Sequence, residues 1–206
     1  HNSKDYNGIK MVINDGPMFD KEIYSLRDLI LGSTFEYKAN ENNPIVYTKI
    51  LSDYIERTKK DIQINTKESF IIDCMNGITG NVIGDIIKTY GVNAELINNK
   101  VDGSFPNCSP DPTKEINLEK LKKRVQLSKS DYGVAFDGDG DRVIIVKNDG
   151  TVIWPDELMI LFSKSILSKK NNSKIVFDVK CTRNLKYSIE KLNGIAIESR
   201  TGHSYI

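Results

Sequence analysis

YGVAFDGDGDRVIIV, residues 132–146, places a short polar loop between two apolar runs. The apolar runs are short and rich in valine, isoleucine and aromatic residues, so they predict two buried strands. The loop between them contains three aspartates that alternate with glycines, namely Asp137, Asp139 and Asp141. Arg142 follows directly. This aspartate loop (residues 137–142) therefore follows the end of a predicted strand.

Three carboxylates so close together repel one another unless a positive group lies between them. Asp137 leaves the carboxyl end of its predicted strand, and in open α/β sheets ligands bind at that edge. Ligation by oxygen alone favours a hard cation, Mg2+ or Ca2+. We therefore predict that Asp137, Asp139 and Asp141 bind a metal ion. Arg142 is predicted to contact a phosphate held by the same ion, because its planar guanidinium matches phosphate oxygens.

Asp/Gly-rich loops also occur in other roles. An EF-hand is excluded, because its sixth position requires glycine where this loop has Arg142, and its twelfth requires glutamate where Asn148 stands. The nucleophile loop of haloacid-dehalogenase-like phosphatases reads D-x-D-x-T or D-x-D-x-V near the start of a domain, and Gly140-Asp141 matches it poorly. A solvated turn is the most common role of an Asp/Gly-rich stretch, and from these residues alone it stays open.

Outward from the loop, short apolar strands alternate with amphipathic helices. Strands are predicted in the segments 8–15, 69–77, 93–98, 132–138, 142–155 and 174–180, and again in 195–200. Helices are predicted within 20–32, 45–62, 81–91, 118–130, 155–170 and 183–194. Asn148-Asp149-Gly150 predicts a hairpin within 142–155, and the polar segment 33–44 predicts a linker. The alternation predicts the α/β class with a mostly parallel sheet.

Amino-acid composition limits the classes of function and the partners that we expect for this protein. Hydrophobic residues make up 39% of the 206 and charged residues 28%, which permits a folded core. The formal net charge of +1 gives no reason to expect a nucleic-acid or membrane partner. Three cysteines without metal-ligand spacing favour the cytoplasm over an oxidising compartment. Both ends of the sequence look like interior segments, so we expect a piece of a longer protein.

Four further segments carry a resemblance to a known family. They are the opening HN…DYNGIK, then DGSFPNCSPDP at 102–112, FDVKCTRNL at 177–185 and SRTGHSYI at 199–206. Together with DGDGDR, and in the same order, they resemble the alpha-D-phosphohexomutase family, in particular its phosphomannomutase/phosphoglucomutase branch. Five blocks spread over the whole chain make this resemblance specific.

The resemblance implies tandem phosphohexomutase-type α/β domains with mixed, mostly parallel sheets, as part of a four-domain protein. Residues 1–48 would be the C-terminal part of domain I, and residues 49–151 would be domain II with the metal-binding loop. Residues 152–206 would be the N-terminal part of domain III.

The resemblance also implies a reaction, the interconversion of hexose 1-phosphate and hexose 6-phosphate. A phosphoserine donates its phosphoryl group, and the intermediate is a bisphosphate. Mg2+ held by Asp137, Asp139 and Asp141 would be the metal, with glucose 1,6-bisphosphate as activator. In the family the serine immediately precedes the His-Asn pair, so the nucleophile is expected just before His1 and is absent from this sequence. By itself this sequence is expected to be inactive.

Further site residues follow from the matched motifs. His1, Lys10 and Arg142 are predicted to act beside the reacting phosphate. Lys180, Thr201, Gly202 and His203 are predicted to bind substrate. The DGSFPN segment favours the phosphomannomutase/phosphoglucomutase branch over phosphoglucosamine mutases, with mannose and glucose both open as sugars. A non-catalytic Mg2+-dependent sugar-phosphate binding module and a haloacid-dehalogenase-like phosphatase are the competing functions.

Overall fold

The strand–helix alternation predicted from the sequence is present in the computed structural model, which describes residues 5–6, 8–9, 11–33, 46–202 and 204–206. The helices are α1 Lys21–Gly32, α2 Leu51–Asp61, α3 Ile83–Tyr90, α4 Glu119–Ser128, α5 Pro155–Lys169 and α6 Arg183–Lys191. The strands are β1 Val12–Ile13, β2 Gly16–Pro17, β3 Ser69–Asp73, β4 Asn93–Ile97, β5 Tyr132–Phe136, β6 Val143–Lys147, β7 Val152–Ile153, β8 Lys174–Asp178 and β9 Ile195–Ser199. None of the helices in these described ranges is long and apolar enough to cross a bilayer.

The central sheet has five strands in the order β4-β3-β5-β6-β7. Strand β3 pairs in parallel with both β4 and β5, whereas β6 and β7 are antiparallel to their neighbours. The sheet is therefore mixed, and its three parallel strands end at the same edge. The segments that follow Asp73, Ile97 and Phe136 consequently meet there.

The aspartate loop joins β5 to β6, which pair with each other directly. Phe136 lies opposite Val143 in this antiparallel register, so residues 137–142 form the connection of a hairpin. A second connection, the predicted Asn148-Asp149-Gly150 turn, leads from β6 to β7, where Lys147 N–H donates to Thr151 O over 2.8 Å. Strand β6 thus holds the aspartate loop at one end and a tight turn at the other.

The main core lies between the sheet and α4. Buried residues from the two layers pack together, among them Ile71, Leu121, Val125, Ala135, Ile144 and Val146. The helix comes so close to β5 that a β-carbon on Gly133 would lie 2.7 Å from Val125 Cγ2. Burial of these side chains supplies the main stabilisation of a domain, at about 1.5–3 kcal/mol for each fully buried aliphatic side chain. This core supports the strands that carry the site.

A smaller unit follows, with β8 and β9 paired in parallel and α6 as the crossover between them. Its buried core consists of Leu167, Phe177, Leu185 and Ile189. The helix start predicted at Pro155 is confirmed, and Glu157 Oε2 accepts a hydrogen bond of 3.0 Å from Trp154 N–H, which precedes the helix. The carboxyl ends of β8 and β9 again lie at one edge, where two of the sequence motifs occur.

Candidate functional site

The three aspartates of the aspartate loop converge in the structure. Each offers a carboxylate oxygen, and the three oxygens lie within 4.8 Å of one another. Asp137 is buried, whereas Asp139 and Asp141 are exposed. The donor set consists of three carboxyl groups, which offer oxygen ligands alone. This arrangement suits a hard divalent cation that keeps some water or phosphate ligands, as Mg2+ does.

Two neighbouring segments fix the backbone of the aspartate loop. Gly138 O accepts a hydrogen bond of 2.9 Å from Ile78 N–H, and Gly138 N–H donates to Pro110 O over 3.2 Å. Gly140 has a φ of +77°, a conformation that glycine adopts without strain. The carboxylates are therefore presented by a loop that is held from both sides.

Arg142 binds the buried carboxylate of this loop at both oxygens. Its backbone N–H donates to Asp137 Oδ1 over 3.0 Å, and its Nε donates to Asp137 Oδ2 over 2.7 Å. Its Nη1 lies 3.3 Å from Asp111 Oδ1. Its Nη2 is buried and has no hydrogen-bond partner among the described residues. The sequence predicted a phosphate contact for Arg142, and the structure adds that its guanidinium is held by two carboxylates.

The charge of Arg142 is stable in this environment. Desolvation works to lower the pKa of Arg142, but the hydrogen bond to Asp137 and the attraction of nearby carboxylates outweigh it and raise that pKa. The pKa of Asp111 is lowered, first by the hydrogen bond from the Thr113 hydroxyl and also by the charge of Arg142. Both groups are therefore charged at neutral pH.

Three of the predicted substrate-binding residues lie together at the edge of the smaller unit. Lys180 follows β8, and Thr201 and Gly202 follow β9. Asp178 Oδ1 accepts hydrogen bonds from Lys180 N–H over 2.8 Å and from the Thr201 hydroxyl over 3.0 Å. The bond from the Lys180 backbone is the main reason that the pKa of Asp178 is lowered. One charged carboxylate thus ties the two motif segments together.

The other predicted residues, His1, Lys10 and His203, lie outside the described residues. The segment that follows Lys10 does reach the smaller unit. The rings of Phe19 and Tyr205 meet edge to face at 5.8 Å between centroids, and Tyr205 Oη donates to Asp20 Oδ2 over 3.2 Å. The N-terminal segment and the segment after β9 are therefore in contact.

Sequence reasoning missed the positions of Asp111 and Asp178. A further carboxylate, Asp73, ends strand β3 at the same edge of the sheet. Asp73 is buried, and its Oδ1 accepts bonds of 2.8 Å from Met75 N–H and from Asn98 Nδ2. It does not belong to the three-aspartate group. Asp111 and Asp178 each had one signal in the sequence, because each lies inside a motif quoted above.

The cysteines offer no redox centre in the described part of the chain. Cys74, Cys108 and Cys181 are all free thiols. Burial raises the pKa of Cys74 to about 11, so this thiol stays protonated at neutral pH. Cys74 is a buried thiol, whereas Cys108 and Cys181 are half-buried.

Two family descriptions match the chain. Residues 52–150 match "Phosphoglucomutase/phosphomannomutase, alpha/beta/alpha domain II". Residues 154–206 match "Phosphoglucomutase/phosphomannomutase, alpha/beta/alpha domain III". Together these matches account for most of the chain.

Individual relatives agree with these matches. Phosphomannomutase/phosphoglucomutase from Pseudomonas aeruginosa is 38% identical over 206 residues, which is 100% of this chain and 44% of that protein. Phosphoglucomutase from Neisseria meningitidis serogroup B is 34% identical over 206 residues, which is 100% of this chain and 45% of that protein. The chain therefore spans less than half the length of these curated relatives.

Solved structures give the same result for the fold. A phosphoglucomutase/phosphomannomutase family protein from Burkholderia thailandensis has a TM-score of 0.90 at 33% identity, covering 99% of this chain and 44% of that one. A structure from Thermus thermophilus has a TM-score of 0.75 at 19% identity, covering 91% of this chain and 44% of that one, and it supports the fold alone.

Proposed function

We propose that the protein is a phosphohexomutase that interconverts hexose 1-phosphate and hexose 6-phosphate, because this chain belongs to the phosphoglucomutase/phosphomannomutase family. The observation that carries the proposal is the convergence of Asp137, Asp139 and Asp141 within 4.8 Å at the carboxyl edge of the sheet. Mannose and glucose phosphates are both proposed substrates. The comparisons do not favour the two competing functions, a non-catalytic binding module and a haloacid-dehalogenase-like phosphatase.

In this proposal the aspartate loop holds Mg2+. The ion supplies charge stabilisation where the phosphoryl group is transferred. Arg142 keeps the Asp137 carboxylate in a fixed orientation through two hydrogen bonds. Its remaining nitrogen, Nη2, is buried without a hydrogen-bond partner among the described residues, so the proposed phosphate contact requires Nη2 to become exposed when substrate binds. The phosphoryl donor is the serine that the family places before His1, and glucose 1,6-bisphosphate is the proposed activator.

The remaining roles follow the matched motifs. Lys10 and His1 are proposed to lie beside the reacting phosphate. Lys180, Thr201, Gly202 and His203 are proposed to bind the sugar phosphate, and this role is supported by the Asp178 bonds that bring Lys180 and Thr201 together. The domain boundaries proposed are 1–48, 49–151 and 152–206, and the proposed location is the cytoplasm.

The test is to identify the products formed by the full-length protein. With glucose 1-phosphate or mannose 1-phosphate, Mg2+ and a trace of glucose 1,6-bisphosphate, phosphorus NMR should show the hexose 6-phosphate. Release of inorganic phosphate without need of the bisphosphate would favour the phosphatase instead. An unchanged spectrum with tight binding of the hexose phosphate would favour the binding module.

A further inference from the structure

Asp111 lies beside the aspartate loop although it is 31 positions from Arg142 in the chain. Its Oδ1 accepts hydrogen bonds from the Thr113 hydroxyl at 2.6 Å, from Thr113 N–H at 3.2 Å and from Arg142 Nη1 at 3.3 Å. The ammonium of Lys114 lies 3.8 Å from its Oδ2. Contacts with Thr113 and Lys114 thus hold the Asp111 carboxylate in addition to its bond with Arg142.

The guanidinium of Arg142 is planar, and carboxylates hold it at two separate nitrogens. Asp137 binds Nε and Asp111 binds Nη1. Together with its covalent attachment at Cδ, these two anchor points restrict rotation of the guanidinium more than a single bond would. The side-chain oxygens of Asp137 each accept one bond from Arg142.

We propose that Asp111 is a positioning residue for the metal centre, because it fixes Arg142, which in turn orients the Asp137 carboxylate toward the ion. This inference rests on the metal site of the proposed function. A backbone bond supports it, since Gly138 N–H donates to the carbonyl oxygen of Pro110, the residue before Asp111. The segment that contains Asp111 therefore contacts the aspartate loop through both backbone and side chain.

The other carboxylates close to Arg142 are those of the aspartate loop, which are the proposed ligands of the ion. Its Nε already lies 3.8 Å from Asp141 Oδ1. Without the charge of Asp111, the guanidinium is free to turn toward Asp141, where it would compete with the cation for a carboxylate oxygen. Loss of Asp111 is thus expected to weaken metal binding. Partners that orient ligands in this way are typically worth about 10- to 100-fold in metal affinity.

The experiment measures Mn2+ affinity in the full-length protein by the EPR signal of free Mn2+. Asp111→Asn should raise the Kd for Mn2+ by about 10-fold. Asp111→Ser keeps an acceptor for Thr113 but lacks the charge, so it should behave the same way. The control, Asp149→Asn, should keep the parent Kd. Asp149 has a similar local pattern, since it accepts hydrogen bonds from Thr151 N–H and from Lys147, but it makes no bond to Arg142 among the described contacts.

A double-mutant cycle separates positioning from a general structural role. In an Arg142→Met background, adding Asp111→Asn should change the Kd for Mn2+ by less than about 2-fold, because its partner is already gone. An equal loss in both backgrounds would overturn the inference, as would an unchanged Kd in Asp111→Asn while the parent binds normally. A parent that binds no Mn2+ at millimolar concentration would contradict the metal site itself and the inference with it.

Discussion

A β-carbon on Gly77 would lie 2.6 Å from the carbonyl oxygen of Gly138, so the turn after β3 and the aspartate loop touch backbone to backbone. The neighbouring bond from Ile78 N–H to Gly138 O depends on this approach. The absence of a side chain at Gly77 thus allows the aspartate loop to rest on the end of the adjacent strand.

Gly77→Ala is expected to push these segments apart. Forcing atoms into a packed site typically costs about 1–3 kcal/mol, and the loop should lose metal affinity as well. Urea unfolding and Mn2+ titration of the same variant measure both effects. Gly84→Ala is the control, because its new methyl group would meet only Leu96 Cδ1 at 3.8 Å. It lies in α3, where alanine is favoured over glycine, so it should be neutral or stabilising. Equal stability of the Gly77 variant and the parent would contradict the close approach.

Asp73→Asn should change how stability depends on pH. Burial raises the pKa of Asp73 above its usual range, although bonds from Asn98 and Met75 oppose this. The stabilising contribution of such a group is complete below its unfolded pKa and is lost as pH rises through the folded pKa. The amide variant does not titrate. Its stability relative to the parent should therefore increase from about pH 4 to about pH 8 in urea unfolding experiments.

Asp131→Asn is the control, because the stabilising contribution of Asp131 should depend on pH in the opposite direction. The backbone N–H and hydroxyl of Ser69 lower the pKa of Asp131, so the parent keeps this contribution at neutral pH and loses it as pH falls through the folded pKa. The deficit of the Asp131 variant should shrink toward acid pH. If both variants changed with pH in the same direction, the assignment of a raised pKa to Asp73 would be wrong.

Asp178→Ala should impair substrate binding more than metal binding. The change removes the acceptor that joins Lys180 N–H to the Thr201 hydroxyl, so the two motif segments lose their common anchor. We expect a several-fold increase in KM for the hexose phosphate with little change in Mn2+ affinity, measured in the full-length protein. Loss of Mn2+ affinity without a change in KM would contradict this prediction, because Asp178 would then support metal binding and not substrate binding.

Asp139→Asn should remove the stabilisation that Mg2+ gives the folded protein. Repelling carboxylates destabilise the free loop, and a ligand that binds only the folded state raises the melting temperature. The parent is expected to gain about 2.7 kcal/mol when the concentration of Mg2+ is about 100 times its Kd. Thermal unfolding with and without Mg2+ checks this, with Asp149→Asn as the matched control. An equal shift in parent and Asp139 variant would place the metal elsewhere.

Much of the fold followed from local sequence patterns. The sequence correctly predicted the apolar strand before Asp137, the glycine-containing loop and the Asn148-Asp149-Gly150 turn. Each of these features depends on residues close in sequence. The convergence of the three aspartates was predicted for the same reason. Their alternation with glycines within five residues limits the distance between their carboxylates.

The contacts of the site were harder to predict, because they join separate loops. Asp111 meets Arg142 only because the segment before α4 returns to the edge of the sheet beside the aspartate loop. Lys180 and Thr201 meet at Asp178 because β8 and β9 are parallel neighbours with α6 between them. Such partners depend on tertiary packing, and spacing in the sequence carries little information about them.

The most direct test of the central claim is the Mg2+ dependence of hexose phosphate interconversion by the full-length protein. Conversion of glucose 1-phosphate to glucose 6-phosphate is followed with a coupled dehydrogenase, for the parent, Asp139→Asn and Asp149→Asn. We predict turnover that requires Mg2+ in the parent and in the Asp149 variant. In the Asp139 variant we predict a loss of about 100-fold or more, as expected when charge stabilisation of the transferring group is removed. Undiminished turnover by Asp139→Asn, or turnover by the parent after Mg2+ is removed with a chelator, would contradict this claim.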